Sequence, residues 1–532
     1  MKTKSISAIL LSIAMLLSVM LVHGQSIGDR KEIQKLVQAM QIIDLAYVDS
    51  VDMQKIVAQT IEQALKELDP HSAYLSVEEL KKSNEQLEGS FEGIGVTFQM
   101  YQDTILVISP VPGGPSEKLG ILSGDKIIKI DGENATGDKI NNEWVFDHLR
   151  GKSGTKVDVT ILRGRKNMLD FTIIRDKIPI NSIDASFMAS PEIGYLRLNR
   201  FSKTSQEEFV TSVSDLKSKG MKKLILDLRG NAGGYLNTAY ELADEFIPSG
   251  KLIVYTEGLH SPRKDFFATS LGNFEKGDLV IIIDEASASA SEIVAGAVQD
   301  LDRGIVIGRR SFGKGLVQGP FDLPDGSVIR LTTARYYTPT GRCIQRSYEN
   351  GTDAYYDDFM ERYRHGELVS ADSIKFPDSL KYETPSGRVV YGGGGIMPDV
   401  FIPWDSTLVS DYFVELRRKN VLNNFSLKYV EDNRDKLNKL YPTFEQFKAN
   451  FKVTDDIIRQ FRERAESDSV KFDEKGWKAS EVLILTQIKA LIARSLWDIN
   501  ALYEIMSEID PEYMRAVDML KDGQIFQVLK VG

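Results

Sequence analysis

One cysteine, Cys343, stands in a chain of 532 residues, so no internal disulfide can form and the fold must be held by its core. Histidine is nearly as scarce: His23, His71, His148, His260 and His365 are the full set, and none lies in a motif resembling a Ser-His-Asp constellation. The absence of an H-E-x-x-H motif or a Cys/His cluster removes the usual zinc arrangements, and neither a metal nor a cofactor is expected. No long basic run follows the first few residues and the formal net charge is −10, so nucleic acid is not an expected partner. Internal repeats and low-complexity linkers are also missing.

What is present begins with an export signal. Lys2 and Lys4 precede 17 residues without a charge, Ile6 to Val22, and the small Gly24 stands before Gln25. That is the layout of a secretory signal peptide over 1–24, which places the protein outside the cytoplasm, in the periplasm or on the extracytoplasmic face of a membrane. The run sits at the lower limit for a membrane span, so an uncleaved anchor is the competing reading and the only membrane contact expected.

Behind it the chain divides by pattern. Over 25–87, Ile33, Leu36, Val37 and Met40, then Met53, Ile56, Val57, Ile61 and Leu65, recur at helical spacing and predict core-facing stripes. Over 88–176, short runs such as "TILVISP" and "KVDVTILRG", separated by Gly, Pro and Asp, predict a small β-rich domain. In "FEGIGVTF" two glycines precede a strand, as needed where backbone N–H groups are bared to an anion. Over 177–405, strands such as "KKLILDL", "DLVIIID" and "GIVIG" alternate with helices, an α/β arrangement around a largely buried sheet. From 406 to 532 the pattern is helical again, with Ile484, Ile488, Leu491 and Ile492 on one face. The fold class is multidomain, α/β plus β, with helical regions at both ends.

Ser287, Ser289 and Ser291 follow "DLVIIID" at the C-terminal end of a strand, where open α/β sheets place their ligands. Ser289-Ala-Ser-Glu292 also fits a capping box, which alone would explain Ser289. A nucleophilic serine needs a base. In "SFGKGLVQ", read as a strand, Phe312, Lys314, Leu316 and Gln318 share a face. Desolvation among those apolar neighbours favours a neutral lysine able to accept a serine proton, and Gln318 can orient the amine. The same stretch, "GRRSFGKG", begins like a phosphate-binding loop, but Gly315 stands where Ser or Thr would hold magnesium.

Taken in order, "DLRGNAGG", "SASASEI", "GRRSFGKGLVQ", "YYTPTGRCIQ" and "GGIMPDV" resemble the motifs of the carboxyl-terminal processing, or tail-specific, proteases. "EGIGVTF" and "VISPVPGGPSEKLGILSGDKIIKIDGE" resemble a PDZ domain, whose groove takes a peptide C-terminus as an added strand. The resemblance spans about 48–403. It implies a Ser-Lys dyad with an assisting Gln: Lys314 lies 25 positions after Ser289, Gln318 follows at the matching place, and Ser287 and Ser291 become structural. It implies an oxyanion hole built from the backbone N–H of Ala290 and of either Gly233 or Gly234. A substrate carboxylate would be held by Gly93, Ile94, Gly95 and Val96. Two departures stand out: Cys343 occupies a place where the family commonly has a small hydroxyl residue, and an insertion of no readable purpose runs from 347 to 391.

The function so implied is an exported serine endopeptidase that captures C-terminal tails in the PDZ-like groove and hydrolyses peptide bonds through an acyl-enzyme. Its partners would be proteins or peptides with accessible tails, with an adaptor protein as a further candidate. The alternative is a catalytically inactive PDZ-type peptide-binding protein on a protease scaffold, which the retention of Ser289, Lys314 and Gln318 disfavours. N-terminal sequencing checks the export reading: the mature protein should begin at about Gln25, and Met1 retained on membrane-bound protein would establish the anchor instead.

Overall fold

A computed structural model describes residues 27–101, 103–164, 166–529 and 531; the expected export signal lies outside them. Contacts divide the chain into two units, 1–74 and 75–532. In the first, α1 (Ile27–Ala46) is followed by α2 (Met53–Lys66), whose start is fixed by Asp52 accepting the Lys55 N–H at 3.0 Å. The expected core-facing stripe needs correction here. Ile33, Leu36 and Val37 are exposed, and of the α2 positions only Leu65 is fully buried, because helical spacing records an apolar face without supplying a surface to cover it.

In the second unit, α3 (Val77–Glu88) opens with a capping box between Ser76 and Glu79 and closes on Gly89 at φ +71°, the left-handed geometry that glycine adopts without strain. A β-rich module follows. Its strands β2 (Val96–Tyr101), β3 (Thr104–Pro110), β4 (Lys126–Ile130), β5 (Lys156–Arg163) and β6 (Asn167–Ile174) run antiparallel in the spatial order β2-β3-β4-β5-β6, which leaves β2 on an edge. Ile105, Val107, Ile127, Val159 and Ile161 pack under helix α4 (Asn142–Leu149) through Val145 and Leu149. The ribbon of β1 (Ser90–Gly93) and β7 (Asp176–Pro179) joins this module to the next.

The centre is a six-stranded sheet in the order β8 (Ile183–Ser190), β9 (Ile193–Leu198), β10 (Lys223–Asp227), β13 (Leu279–Ile283), β14 (Ile305–Gly308) and β17 (Val400–Phe401). Only the β8–β9 pair is antiparallel. A parallel sheet must be covered on both faces, which is why its strands read as unbroken apolar runs. Leu224, Leu226, Leu279, Ile281 and Val306 face α5 (Ser205–Ser218), α6 (Leu236–Asp244) and α7 (Ala290–Asp300). The alternate residues Ile225, Val280, Ile282, Ile305 and Ile307 face Ala516, Val517, Met519 and Leu520, on the helix Pro511–Asp522. The helix Pro511–Asp522 therefore closes the protease sheet, whereas residues 412–505 form a helical core of their own around Phe425, Phe461, Ile484 and Ile488.

A second, antiparallel sheet contains β11 (Leu252–Gly258), β12 (Ser261–Phe267), β15 (Leu316–Asp322) and β16 (Val328–Tyr337). The expected strand from Phe312 is corrected: β15 begins only at Leu316, and a register shift falls between Val317 and Gln318. The reason is that five successive N–H groups are already engaged elsewhere. Ser311 donates to the Ile396 carbonyl, Phe312 to that of Ser287, Gly313 and Lys314 to the Glu292 carboxylate, and Gly315 to Gln345 Oε1. Those amides cannot join a ladder, nor can they cradle a phosphate, which removes the phosphate-loop reading of "GRRSFGKG".

Candidate active site

Because β10, β13 and β14 are parallel and adjacent, the loops that leave them, 228–234, 284–289 and 309–315, emerge at one end of the sheet. The three serines separate at once. Ser287 is fully buried; its hydroxyl donates to the Leu228 carbonyl at 2.9 Å and accepts the Asp284 N–H at 2.9 Å. Ser291, also fully buried, donates to the Asn231 carbonyl at 2.8 Å. Both hydroxyls tie the serine turn to the 228–234 loop. Ser289 is half-buried at the first turn of α7 and has φ +55° and ψ −110°, a conformation costing a non-glycine residue about 1–3 kcal/mol.

Glu292 holds that strained turn. Fully buried, its carboxylate accepts the N–H of Ser289 at 2.7 Å, of Lys314 at 2.9 Å and of Gly313 at 2.7 Å, and the Ser311 hydroxyl at 2.5 Å. Burial pushes its carboxyl up to about 7, while those hydrogen bonds pull the other way. A second bridge comes from Tyr336, whose buried hydroxyl reaches the Lys314 carbonyl at 2.6 Å and the Ser289 carbonyl at 3.1 Å. Burial raises this phenol well above its ordinary range, so it remains a donor. One carboxylate and one phenol thus fasten the Ser289 backbone to the Lys314 backbone. The sequence reading saw Glu292 only as a helix cap and gave Tyr336 no role; nothing local marks either, since their partners lie up to 47 residues away.

On the opposite side stands the glycine loop. Asn231 is buried, donates to the Leu198 carbonyl and accepts the Gly233 N–H on Oδ1 at 2.9 Å, while its carbonyl accepts the Ala288 N–H. A Cβ at Gly233 would lie 2.9 Å from the Ala290 nitrogen and 2.9 Å from Ser289 Cβ, and one at Gly234 2.0 Å from the Phe201 carbonyl oxygen. Only glycine permits this approach. Lys314 and Gln318 are both half-buried, and Gln318 Nε2 donates to Thr332 Oγ1 at 3.2 Å. The 347–391 insertion braces the same segment. From its helix α8 (Thr352–Arg364), Arg362 donates to the Arg310 and Ser311 carbonyls, and Tyr355 meets Phe312 edge-on at 5.9 Å.

In the β-rich module the Ile94 carbonyl accepts the Ser116 N–H at 3.2 Å and hydroxyl at 2.6 Å, and the Gly95 carbonyl accepts the Val111 N–H at 2.9 Å. Across a trans peptide the C=O and the following N–H point in opposite directions, so the amides of Gly95 and Val96 face away from these partners, beside the edge strand β2. Gly95 has φ +74°, and a Cβ there would lie 3.1 Å from Ile178 Cδ1. Among the described residues no cluster of three or more His, Cys, Asp or Glu is arranged to hold a metal.

Glu292 gives stability a pH dependence of defined sign. The native carboxyl holds its proton more tightly than the unfolded chain, where the ordinary value is 4.5, so its contribution is full below that value and is lost as pH rises through about 7. Glu292→Gln should flatten this part of the profile measured by chemical denaturation. It should also cost about 1–3 kcal/mol near neutral pH, because the amide puts a donor where two donors already point. An unchanged profile would show that the group does not titrate in this window.

Residues 192–353 match peptidase family S41, residues 93–174 match the PDZ domain, and residues 412–498 match a family of unknown function. The chain is 37% identical over 321 residues to a carboxy-terminal-processing protease of Bartonella bacilliformis, covering 59% of this chain and 73% of that protein. It is 35% identical over 320 residues to the carboxy-terminal processing protease CtpB of Bacillus subtilis, covering 59% and 66%. Among solved structures, a photosystem II D1 C-terminal processing protease is 28% identical, with a TM-score of 0.33 over 58% of this chain and 88% of that one. The chain therefore belongs to the carboxy-terminal processing proteases of peptidase family S41, serine-type peptidases, and carries a PDZ domain ahead of its protease core.

Proposed function

We propose that this protease is exported through residues 1–24, captures C-terminal tails in its PDZ domain and cleaves them with Ser289 as nucleophile and Lys314 as general base. The observation that carries the assignment is the sorting of the serines: Ser287 and Ser291 hydroxyls are bound to loop carbonyls, while Ser289 sits in a strained turn fastened to Lys314 through Glu292 and Tyr336. Neutral Lys314 Nζ accepts the Ser289 Oγ proton as Oγ attacks the scissile carbonyl carbon. The oxyanion is met by the Ala290 N–H at the start of α7, where the helix dipole adds its positive end. Gly234 is the second donor, because the Gly233 N–H already donates to Asn231. Lys314 then passes its proton to the leaving amine, and in the second half-reaction neutral Lys314 takes a proton from water as it attacks the acyl carbon and returns it to Ser289 Oγ as the acyl group leaves. Gln318, fixed by Thr332, offers Oε1 to orient Lys314.

Ser289→Ala and Lys314→Ala should each lower peptide cleavage by about 10³-fold or more with the fold retained. Lys314→Arg should fail as well, since a guanidinium stays protonated. Ser287→Ala and Ser291→Ala should keep substantial activity while losing about 0.5–1.5 kcal/mol of stability for each hydroxyl hydrogen bond removed. If Ser289 were only a cap, its alanine variant would cost about 1 kcal/mol and spare catalysis.

Tail capture rests on the Gly93–Val96 loop, with Gly95 and Val96 amides meeting the carboxylate and β2 pairing with the tail. Amidating the C-terminus of a substrate should therefore weaken its binding and slow its cleavage. Equal rates for free-acid and amidated peptides would remove this loop from substrate selection.

A further inference from the structure

The helix Pro511–Asp522 lies beyond every segment matched to a known family. Its first turn nevertheless reaches the loops that carry the chemistry. Asp510 takes both terminal nitrogens of Arg229, at 3.0 and 2.7 Å, and Glu512 lies 3.3 Å from the same guanidinium. The other Glu512 oxygen accepts from Arg309 at 2.6 Å, and Arg309 in turn donates to Glu285 at 2.8 Å. Arg229 also lies against Asp227 at the end of β10; that fully buried carboxylate further accepts Arg197 at 2.8 Å and the Tyr195 hydroxyl at 2.7 Å.

The sequence positions of these groups give the network its meaning. Arg229 stands four residues before Gly233, Glu285 four before Ser289, and Arg309 five before Lys314. Each of the three loops at the end of the sheet is therefore gripped by one charged side chain, and two of the three meet on the carboxylates of one helix turn. Around Asp227, burial alone would raise its carboxyl, yet Arg229 and Arg197 hold it well below the ordinary range. A half-broken network would strand a buried charge, so the three grips favour one arrangement of the loops.

We propose that Asp510 and Glu512 are positioning residues for catalysis: they hold Arg229 and Arg309 so that the oxyanion loop and the Lys314 segment keep their spacing across Ser289. This rests on the Ser-Lys reading given above. The helix Pro511–Asp522 is then a working part of the peptidase site, supplied from about two hundred residues beyond β14. Asp510 has a second task, accepting the Tyr513 N–H as the helix cap, so Glu512 is the cleaner probe.

The test uses the full chain with Glu512→Gln and Asp510→Asn, singly and together, and Leu520→Ala as a comparison. Leu520 is fully buried on the same helix, packs on the sheet and touches neither arginine in the network described. With a quenched-fluorescence peptide, Glu512→Gln and the double variant should lose about tenfold or more in kcat, because small misplacements of reacting groups are costly. KM and the affinity of the PDZ domain for a free-acid peptide should stay within about twofold. Leu520→Ala should lower the melting temperature at least as much, yet keep kcat within about twofold when assayed well below melting. The proposal is overturned if Glu512→Gln and the double variant keep wild-type kcat, or if Leu520→Ala loses kcat in proportion to its instability. Activity retained by Ser289→Ala would instead sink the Ser-Lys reading, and is scored on that separate variant.

Discussion

The Glu292 carboxylate is the contact on which the rest of the site depends. A carboxyl group so buried is costly to ionise unless donors converge on it. Four do: one from its own helix turn and three from residues 311–314. The serine turn and the lysine segment therefore come together or not at all, and the strained backbone at Ser289 persists because its N–H is one of those four.

Around this contact the fold supplies orientation. Parallel strands β10, β13 and β14 deliver three loops to one end, and the alternation of their side chains fills two different cores. One face of the sheet lies against helices interleaved with the strands in sequence. The other lies against a helix that arrives about two hundred residues after β14, so the sheet is closed by residues far along the chain. Between these, residues 412–505 form a helical body that also touches the β-rich module: Leu427 packs with Leu106 and Ile108, and Arg464 donates to the Tyr101 hydroxyl at 2.8 Å.

Local rules made much of this legible. "TILVISP" is β3 residue for residue, and "DLVIIID" brackets β13 with one residue to spare at each end. The serines follow "DLVIIID", and the structure has them just past the C-terminal end of β13. What failed did so for one physical reason: a pattern reports what a residue can do, while partners decide what it does. "SFGKG" has the alternation of a strand, but its amides are taken by Glu292 and other neighbours. The α1 stripe has the spacing of a core face, and Ile33, Leu36 and Val37 are exposed. Asp510 and Glu512 look like ordinary acidic residues at a helix start, a common electrostatic preference, and nothing near them in sequence names Arg229 or Arg309.

The run of engaged amides from Ser311 to Gly315 has a consequence for how this enzyme can be switched. Each N–H is anchored to a different neighbour or to an opposite oxygen of the same carboxylate, and each bond is worth about 0.5–1.5 kcal/mol net. A small displacement of the lysine backbone would strain several bonds together, whereas a large one must release them as a set. The segment is consequently held as a unit, with no graded setting between its anchors. On the Ser-Lys reading proposed above, control exerted through the Lys314 backbone has to act on the five anchors together.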